Sequence, residues 1–147
     1  MSKITIGVDP DSKAHGIAVY VEGELVDLMS MPLMKIITHF DWQAWDDVTV
    51  HIEDVCANNA VFMPPSRSKS KIAEAKARGR TLGKCQQAQI ELERFFEYAG
   101  VKVVKHKISS AWKKDKAQFE KVTGWCGRSN EDTRSAAWFG YLGLRGK

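Results

Sequence analysis

No stretch of this chain is apolar for long enough to cross a membrane as a helix. Its first residues, Met1-Ser2-Lys3, run directly into a strand pattern where a secretory leader would carry its apolar segment. These absences exclude a membrane-spanning helix and lead us to expect a soluble, cytoplasmic protein with no membrane partner. Only three cysteines occur, Cys56, Cys85 and Cys126, and they are scattered with no CxxC pair among them. That excludes a CxxC-type zinc site or dithiol couple and reads as reduced, half-buried thiols. Internal repeats and low-complexity tracts are also missing, which excludes a repeat array.

What is present is a chain of 147 residues, 44% apolar and 27% charged, which matches one compact domain spanning 1–147. The net charge of +4 is modest, but its distribution is not. Residues 66–84 hold seven Lys or Arg against one acid, Glu74, and residues 102–116 hold six lysines against Asp115. Outside these two stretches the chain is net acidic. Concentrated basic charge points to a polyanion such as nucleic acid as the partner, the alternative being ordinary solvated faces.

Ile4-Thr5-Ile6-Gly7-Val8-Asp9 reads as a strand and Gly16-Ile17-Ala18-Val19-Tyr20-Val21 as a second, joined by a turn over 10–15. A third strand over 25–31 follows the Glu22-Gly23-Glu24 turn, and so short a connection joins antiparallel neighbours. Ile36, Ile37, Phe40, Trp42 and Trp45 have helical spacing, and Val48-Thr49-Val50-His51-Ile52-Glu53 returns as a strand parallel to the first. Residues 54–80, with Asn58-Asn59 and Pro64-Pro65, read as an exposed loop containing some helix at 72–78. A long amphipathic helix is expected over 82–99, stopped by Gly100, then a strand over 101–105 and a helix over 112–122 ending at Gly124. Ser129-Asn130-Glu131-Asp132 opens the last helix. The order is β-β-β-α-β-α-β-α-α, an α/β fold with a mixed five-stranded sheet flanked by helices, which is the ribonuclease H-like order.

Asp9, Glu53 and Asp132 each stand where an apolar strand ends or a helix begins. With the first and fourth strands adjacent and parallel, Asp9 and Glu53 reach the same sheet edge, and the last helix can bring Asp132 there. Clustered carboxylates repel unless cations bind between them, and Mg²⁺ or Mn²⁺ requires hard oxygen ligands of this kind. Two such ions about 4 Å apart serve in-line phosphodiester displacement, one activating water and the other stabilising the leaving 3′ oxygen. Competing roles exist. Asp9 can form a turn with Pro10, and Asp132 fits a capping box at the third helical position. Asp11 and Asp54 read as solvated loop acids. His15, His39 and His51 read as structural, and Trp42, Trp45, Trp112, Trp125 and Trp138 as core or interface.

Ile6-Gly7-Val8-Asp9-Pro10-Asp11-Ser12 followed by Gly16-Ile17-Ala18-Val19 resembles the first motif of RuvC-type Holliday junction resolvases, a strand-end Asp before Pro-Gly-Ser. Val50-His51-Ile52-Glu53-Asp54-Val55 is similar to their second motif, and Leu82-Gly83-Lys84-Cys85-Gln86-Gln87-Ala88 resembles the start of their central helix. Asp132 with Ser135-Ala136-Ala137 falls where the family has its acidic C-terminal motif. The resemblance implies a homodimeric, metal-dependent endonuclease that binds four-way DNA junctions and nicks two opposing strands, with two Mg²⁺ ions per site and no organic cofactor.

Two positions depart from that pattern. Asp11 replaces the usual Gly, and Ser135 stands where a fourth carboxylate is expected one turn beyond Asp132. Either Glu131 supplies the extra acid, or three carboxylates suffice and Ser135 holds a metal-bound water. The long basic segment before Leu82 points to a phage or otherwise diverged member. Arg67, Lys69, Lys71, Lys76, Arg78 and Arg80 are candidate phosphate contacts, and Phe62 and Met63 a candidate junction wedge or, equally, a dimer or core contact. Lys105, Lys107, Lys113 and Lys114 mark a second path toward the metals, one of them steadying the scissile phosphate. Rival readings are a nuclease of the same fold acting on RNA, RNA·DNA hybrids or flaps, and a non-catalytic branched-DNA binder. A nucleotide-binding actin-like domain shares an Asp-rich hairpin, but needs two such domains around a cleft.

Overall fold

Hydrophobic alternation at period two builds the sheet and leaves its two faces with different work. The computed structural model of the chain describes residues 2–57 and 69–146. Its strands are β1 (Ile4–Asp9), β2 (His15–Val21), β3 (Glu24–Met31), β4 (Val48–Glu53) and β5 (Lys102–His106), in the spatial order β3-β2-β1-β4-β5. β1, β2 and β3 pair antiparallel, while β1 with β4 and β4 with β5 pair parallel, as the connection lengths require. The helices are α1 (Leu33–His39), α2 (Lys69–Ala99), α3 (Lys116–Thr123) and α4 (Glu131–Leu144).

Even-numbered residues of β1, Ile4, Ile6 and Val8, share one face with Ile17, Val19, Val50 and Ile52, packed against Ile36 of α1 and Leu92 and Phe96 of α2. On the other face, Ala18 and Tyr20 pack with Ala136 and Ala137 of α4, Phe119 of α3 and Trp112. α4 sits unusually close to the sheet, because a Cβ at Gly7 would overlap the Ala136 carbonyl. Odd-numbered Asp9 of β1 and Glu53 of β4 therefore leave the sheet on the α4 side, at the ends of neighbouring parallel strands.

Several local expectations are corrected. The helix expected over 82–99 and the partial helix at 72–78 are one continuous 31-residue helix, α2. Ala, Lys, Arg, Gln and Leu around Gly79 and Gly83 favour helix strongly enough to absorb about 1 kcal/mol lost at each glycine. α1 stops before Phe40, whose backbone is extended, and the Trp42 indole N–H donates to the Ile36 carbonyl at 3.1 Å. Trp42 and Trp45 thus join the aromatic cluster with Phe40 from a loop, edge-to-face with one another. α3 begins at Lys116, not Trp112, because Trp112 has a positive φ of 66° and Asp115 caps the helix by accepting from the Gln118 N–H. β5 is shifted by one residue to Lys102–His106, β2 starts at His15 and β3 at Glu24. Asn58, Asn59, Pro64, Pro65, Phe62, Met63 and Arg67 lie outside the described residues.

The capping box at α4 also differs from the expected one. Asn130 is the N-cap, accepting from the Thr133 N–H at 2.8 Å, while the Thr133 hydroxyl accepts from the Asn130 N–H at 2.9 Å. Thr133 occupies the third helical position and so takes the role that the sequence offered to Asp132. Asp132 is left with no capping duty.

Candidate metal centre and nucleic-acid cleft

Asp9 and Glu53 end paired strands on one sheet face, and the first turn of α4 delivers Asp132 beside them. All three line one cleft of about 570 Å³, with Pro10, Asp11, Val55 and Lys113 also contributing. Its far wall is α2, through Ala77, Arg78, Thr81, Leu82 and Cys85. The same helix is tied to the end of β4 by buried Gln89, which accepts from the Cys56 N–H and donates to Asp54, each at 3.0 Å. One tether therefore fixes the basic helix and the Glu53 strand end relative to each other.

Both strand-end acids are buried, Asp9 and Glu53 each at 4% exposure. Burial, with the neighbouring Glu53 charge second, pushes the Asp9 carboxyl up from 3.8 to about 7. Glu53 is raised chiefly by burial as well, against the lowering effects of Lys113 and of the Ser109 N–H, which lies 3.5 Å from its Oε2. Asp132 is raised by burial and by Asp11. The counter-charge is Lys113, whose Nζ lies 3.7 Å from Asp9 Oδ2. Burial acts to lower the Lys113 pKa, but Asp9, Glu53 and Asp132 together outweigh it and the ammonium is held above its usual range.

Two buried oxygens lack a hydrogen-bond partner among the described residues, Asp9 Oδ2 and Ser135 Oγ. The Ser135 hydroxyl stands close enough to Asp9 to lower its carboxyl pKa as a hydrogen-bonding neighbour, yet the pair does not reach full hydrogen-bond geometry. An unsatisfied buried carboxylate oxygen costs free energy unless a cation or proton reaches it. The donor set, carboxylates with a neutral hydroxyl, fits a hard divalent cation. Among the described residues no three His, Cys, Asp or Glu side chains group closely enough to enclose an ion. The acids form an open set facing the cleft, with Lys113 as their compensating charge.

The remaining candidates divide. Glu131 is exposed at the start of α4 and is not a lining residue of the cleft, whereas Ser135 is fully buried beside Asp9. Asp11, expected to be a solvated loop acid, lines the cleft. Lys69, Lys71, Lys76, Arg78 and Arg80 all lie on α2, and Arg78 reaches the cleft itself. Lys105 sits on the opposite sheet face from Glu53, 3.7 Å from Glu93 of α2, while Lys107 and Lys114 are exposed. Lys113 lies among the acids and not along a surface track. Sequence reading also missed Cys85 as a lining residue. Its thiol pKa is raised by burial, so it stands there as a neutral group.

No protein-family model matches the sequence, and no curated protein matches it either. Among solved structures, RuvC of Thermus thermophilus in complex with its Holliday junction substrate superposes with a TM-score of 0.51, at 11% identity over 94% of this chain and 90% of that one. The fold is RuvC-like. A second T. thermophilus RuvC structure aligns over 97% of this chain and 96% of its own, at 13% identity and a TM-score of 0.44. At such identity the RuvC likeness speaks to the fold, a mixed five-stranded sheet between helices, and chemistry must be argued from the residues.

Proposed function

We propose that this chain is a divalent-metal-dependent endonuclease that nicks four-way or otherwise branched DNA. The observation that carries the reading is the convergence of Asp9, Glu53 and Asp132, from three separate elements, in one cleft walled by a basic helix. Asp9, Glu53 and Asp132 would hold Mg²⁺, with Mn²⁺ able to substitute and two ions per site. When bound, the cations supply Lewis-acid stabilisation of the attacking and departing oxygens of a phosphodiester. The RuvC neighbour bound to a Holliday junction supports a branched substrate, and two such sites in a homodimer would allow paired nicks.

This chain's own residues do the positioning. Burial raises the cost of leaving Asp9 and Glu53 ionised and unpaired, so the site favours a cation over water. The Ser109 N–H steadies Glu53, and Lys113 offers a fixed positive charge to the phosphate that the acids face. The exposed cations of α2 hold the flanking backbone without reading bases. In a gel assay, a labelled four-way junction is cut in Mg²⁺ and left intact in chelator, while linear duplex and RNA·DNA hybrid are cut far more slowly. Equal cutting of the hybrid would transfer the assignment to a ribonuclease H-like activity, and no metal-dependent cutting of any substrate would refute catalysis.

A further inference from the structure

Arg134 spends its guanidinium on one short turn of main chain. It is 9% exposed on α4, and among the described residues no carboxylate lies within ion-pair distance of it. Its Nε donates to the Trp112 carbonyl at 3.0 Å, its Nη2 to the Lys113 carbonyl at 2.5 Å, and its Nη1 to the Ser129 hydroxyl at 3.0 Å. A buried cation served only by neutral acceptors is costly, and an apolar side chain would fill the same space more cheaply. The turn it holds is itself strained, because Trp112 adopts a left-handed backbone with φ of 66°, unfavourable for a bulky residue. On its other side the Trp112 ring is wedged among Phe119, Trp138 and Tyr141.

The next side chain along that turn is Lys113, with its ammonium 3.7 Å from Asp9. Arg134 also shares one turn of α4 with Asp132 and Ser135, so a single rigid helix references the lysine to the acids. We propose that Arg134 is a positioning residue. It does not meet substrate, but grips the carbonyls of Trp112 and Lys113 and so sets where the Lys113 ammonium stands. Its effect on catalysis rests on the nuclease reading given above, whereas its grip on Lys113 does not.

The test combines a double-mutant cycle with lysine labelling of the metal-free protein. Arg134→Gln is expected to lower kcat on branched DNA on the order of 10- to 100-fold, with KM and metal-free DNA binding within about twofold. In the Lys113→Met background the same change should cost nothing further, because the group it positions is gone. Arg134→Lys should not rescue, since an ammonium cannot reproduce the fork. With an acylating reagent read by mass spectrometry, Arg134→Gln should raise labelling of Lys113 several-fold relative to exposed Lys114. Additive losses in the cycle, or an unchanged labelling ratio, would overturn the proposal. If Arg134→Gln fails to fold, Ser129→Ala removes one anchor of the guanidinium, and a smaller rise in Lys113 labelling is required of it. Should the wild-type protein cut no branched DNA, the nuclease reading falls, and the labelling ratio still decides whether Arg134 sets Lys113.

Discussion

Gly16 lies directly against the main chain of Asp132, where a Cβ would come within 2.6 Å of the Asp132 carbonyl carbon. Gly16 is also the register partner of Asp9 across β1 and β2. One glycine therefore sets the spacing between two of the three acids. Gly16→Ala is expected to push back the first turn of α4, destabilising the protein by about 1–3 kcal/mol. Cleavage should fall further than this lost stability explains, because Asp132 moves with the turn. Thermal melts beside kcat measured well below Tm separate the two effects, and an unchanged kcat would show that Asp132 need not be held at this distance.

Asp9→Asn should abolish cleavage while leaving junction binding intact, and it should stabilise the metal-free protein at neutral pH. The sign follows from the raised pKa. Folded Asp9 binds its proton up to about pH 7 whereas the unfolded side chain releases it near 3.8, so folding stability declines as pH rises through that window. Above pH 7 the whole penalty is present, on the order of 4 kcal/mol. Denaturant titrations in chelator should find the variant more stable at pH 8 and no different from wild type at pH 3.5. Mg²⁺ should raise the wild-type Tm and have less effect on the variant's.

Lys113→Met removes the ammonium that compensates Asp9, Glu53 and Asp132. The acids should then hold their protons to still higher pH, and kcat should drop by roughly 100-fold. The pH–rate profile reports both, through a lower plateau and an acidic limb displaced upward. A profile identical to wild type would remove Lys113 from the site.

His15 works in the opposite pH direction from Asp9. It is buried, its pKa is lowered by that burial to about 4, and the Asp11 N–H lies 3.1 Å from its Nδ1, an arrangement that requires the unprotonated nitrogen. Here the unfolded chain takes up the proton first, so stability is lost as pH falls from 6.5 toward 4, by an amount on the order of 3 kcal/mol. His15→Gln should flatten the acid side of the stability profile by that amount.

Lys76, Arg80 and Lys84 recur every fourth residue on the exposed side of α2. Replacing all three with Gln should weaken branched-DNA binding and reduce the slope of log K against log salt by roughly 2–3, about 0.9 for each phosphate no longer neutralised. Fluorescence anisotropy across a salt series measures this. An unchanged slope would move the DNA path off this face.

The strand ends are legible because alternation at period two is written locally. Ile4, Ile6 and Val8 announce both the strand and the side from which Asp9 leaves it. The continuity of α2 is hidden because Gly79 looks like punctuation between the stretches at 72–78 and 82–99, although the strong helix formers around it carry the helix through. Lys113 looks like one of several surface lysines, and nothing in its neighbours marks it as the charge that enters the acid cleft. Arg134 is invisible for the same reason, since its partners are the carbonyls of a turn whose shape depends on where Trp112 packs.

Sequence alone determined the β-β-β-α-β-α-β-α-α order, the two strand-end acids and the basic character of the 69–84 segment, because each depends on residues near one another in the chain. Tertiary structure decided which acid was free and which cation joined it. Asn130 and Thr133 cap α4 between themselves and release Asp132, while close packing of α4 on Gly7 and Gly16 brings Asp132, Ser135 and the Lys113 turn to the sheet edge. Apart from the local cap and the grip of Arg134 on the Lys113 turn, those choices rest on contacts of α4 and Lys113 with β1 and β2, more than a hundred residues away, and such contacts exist only once the helix has docked.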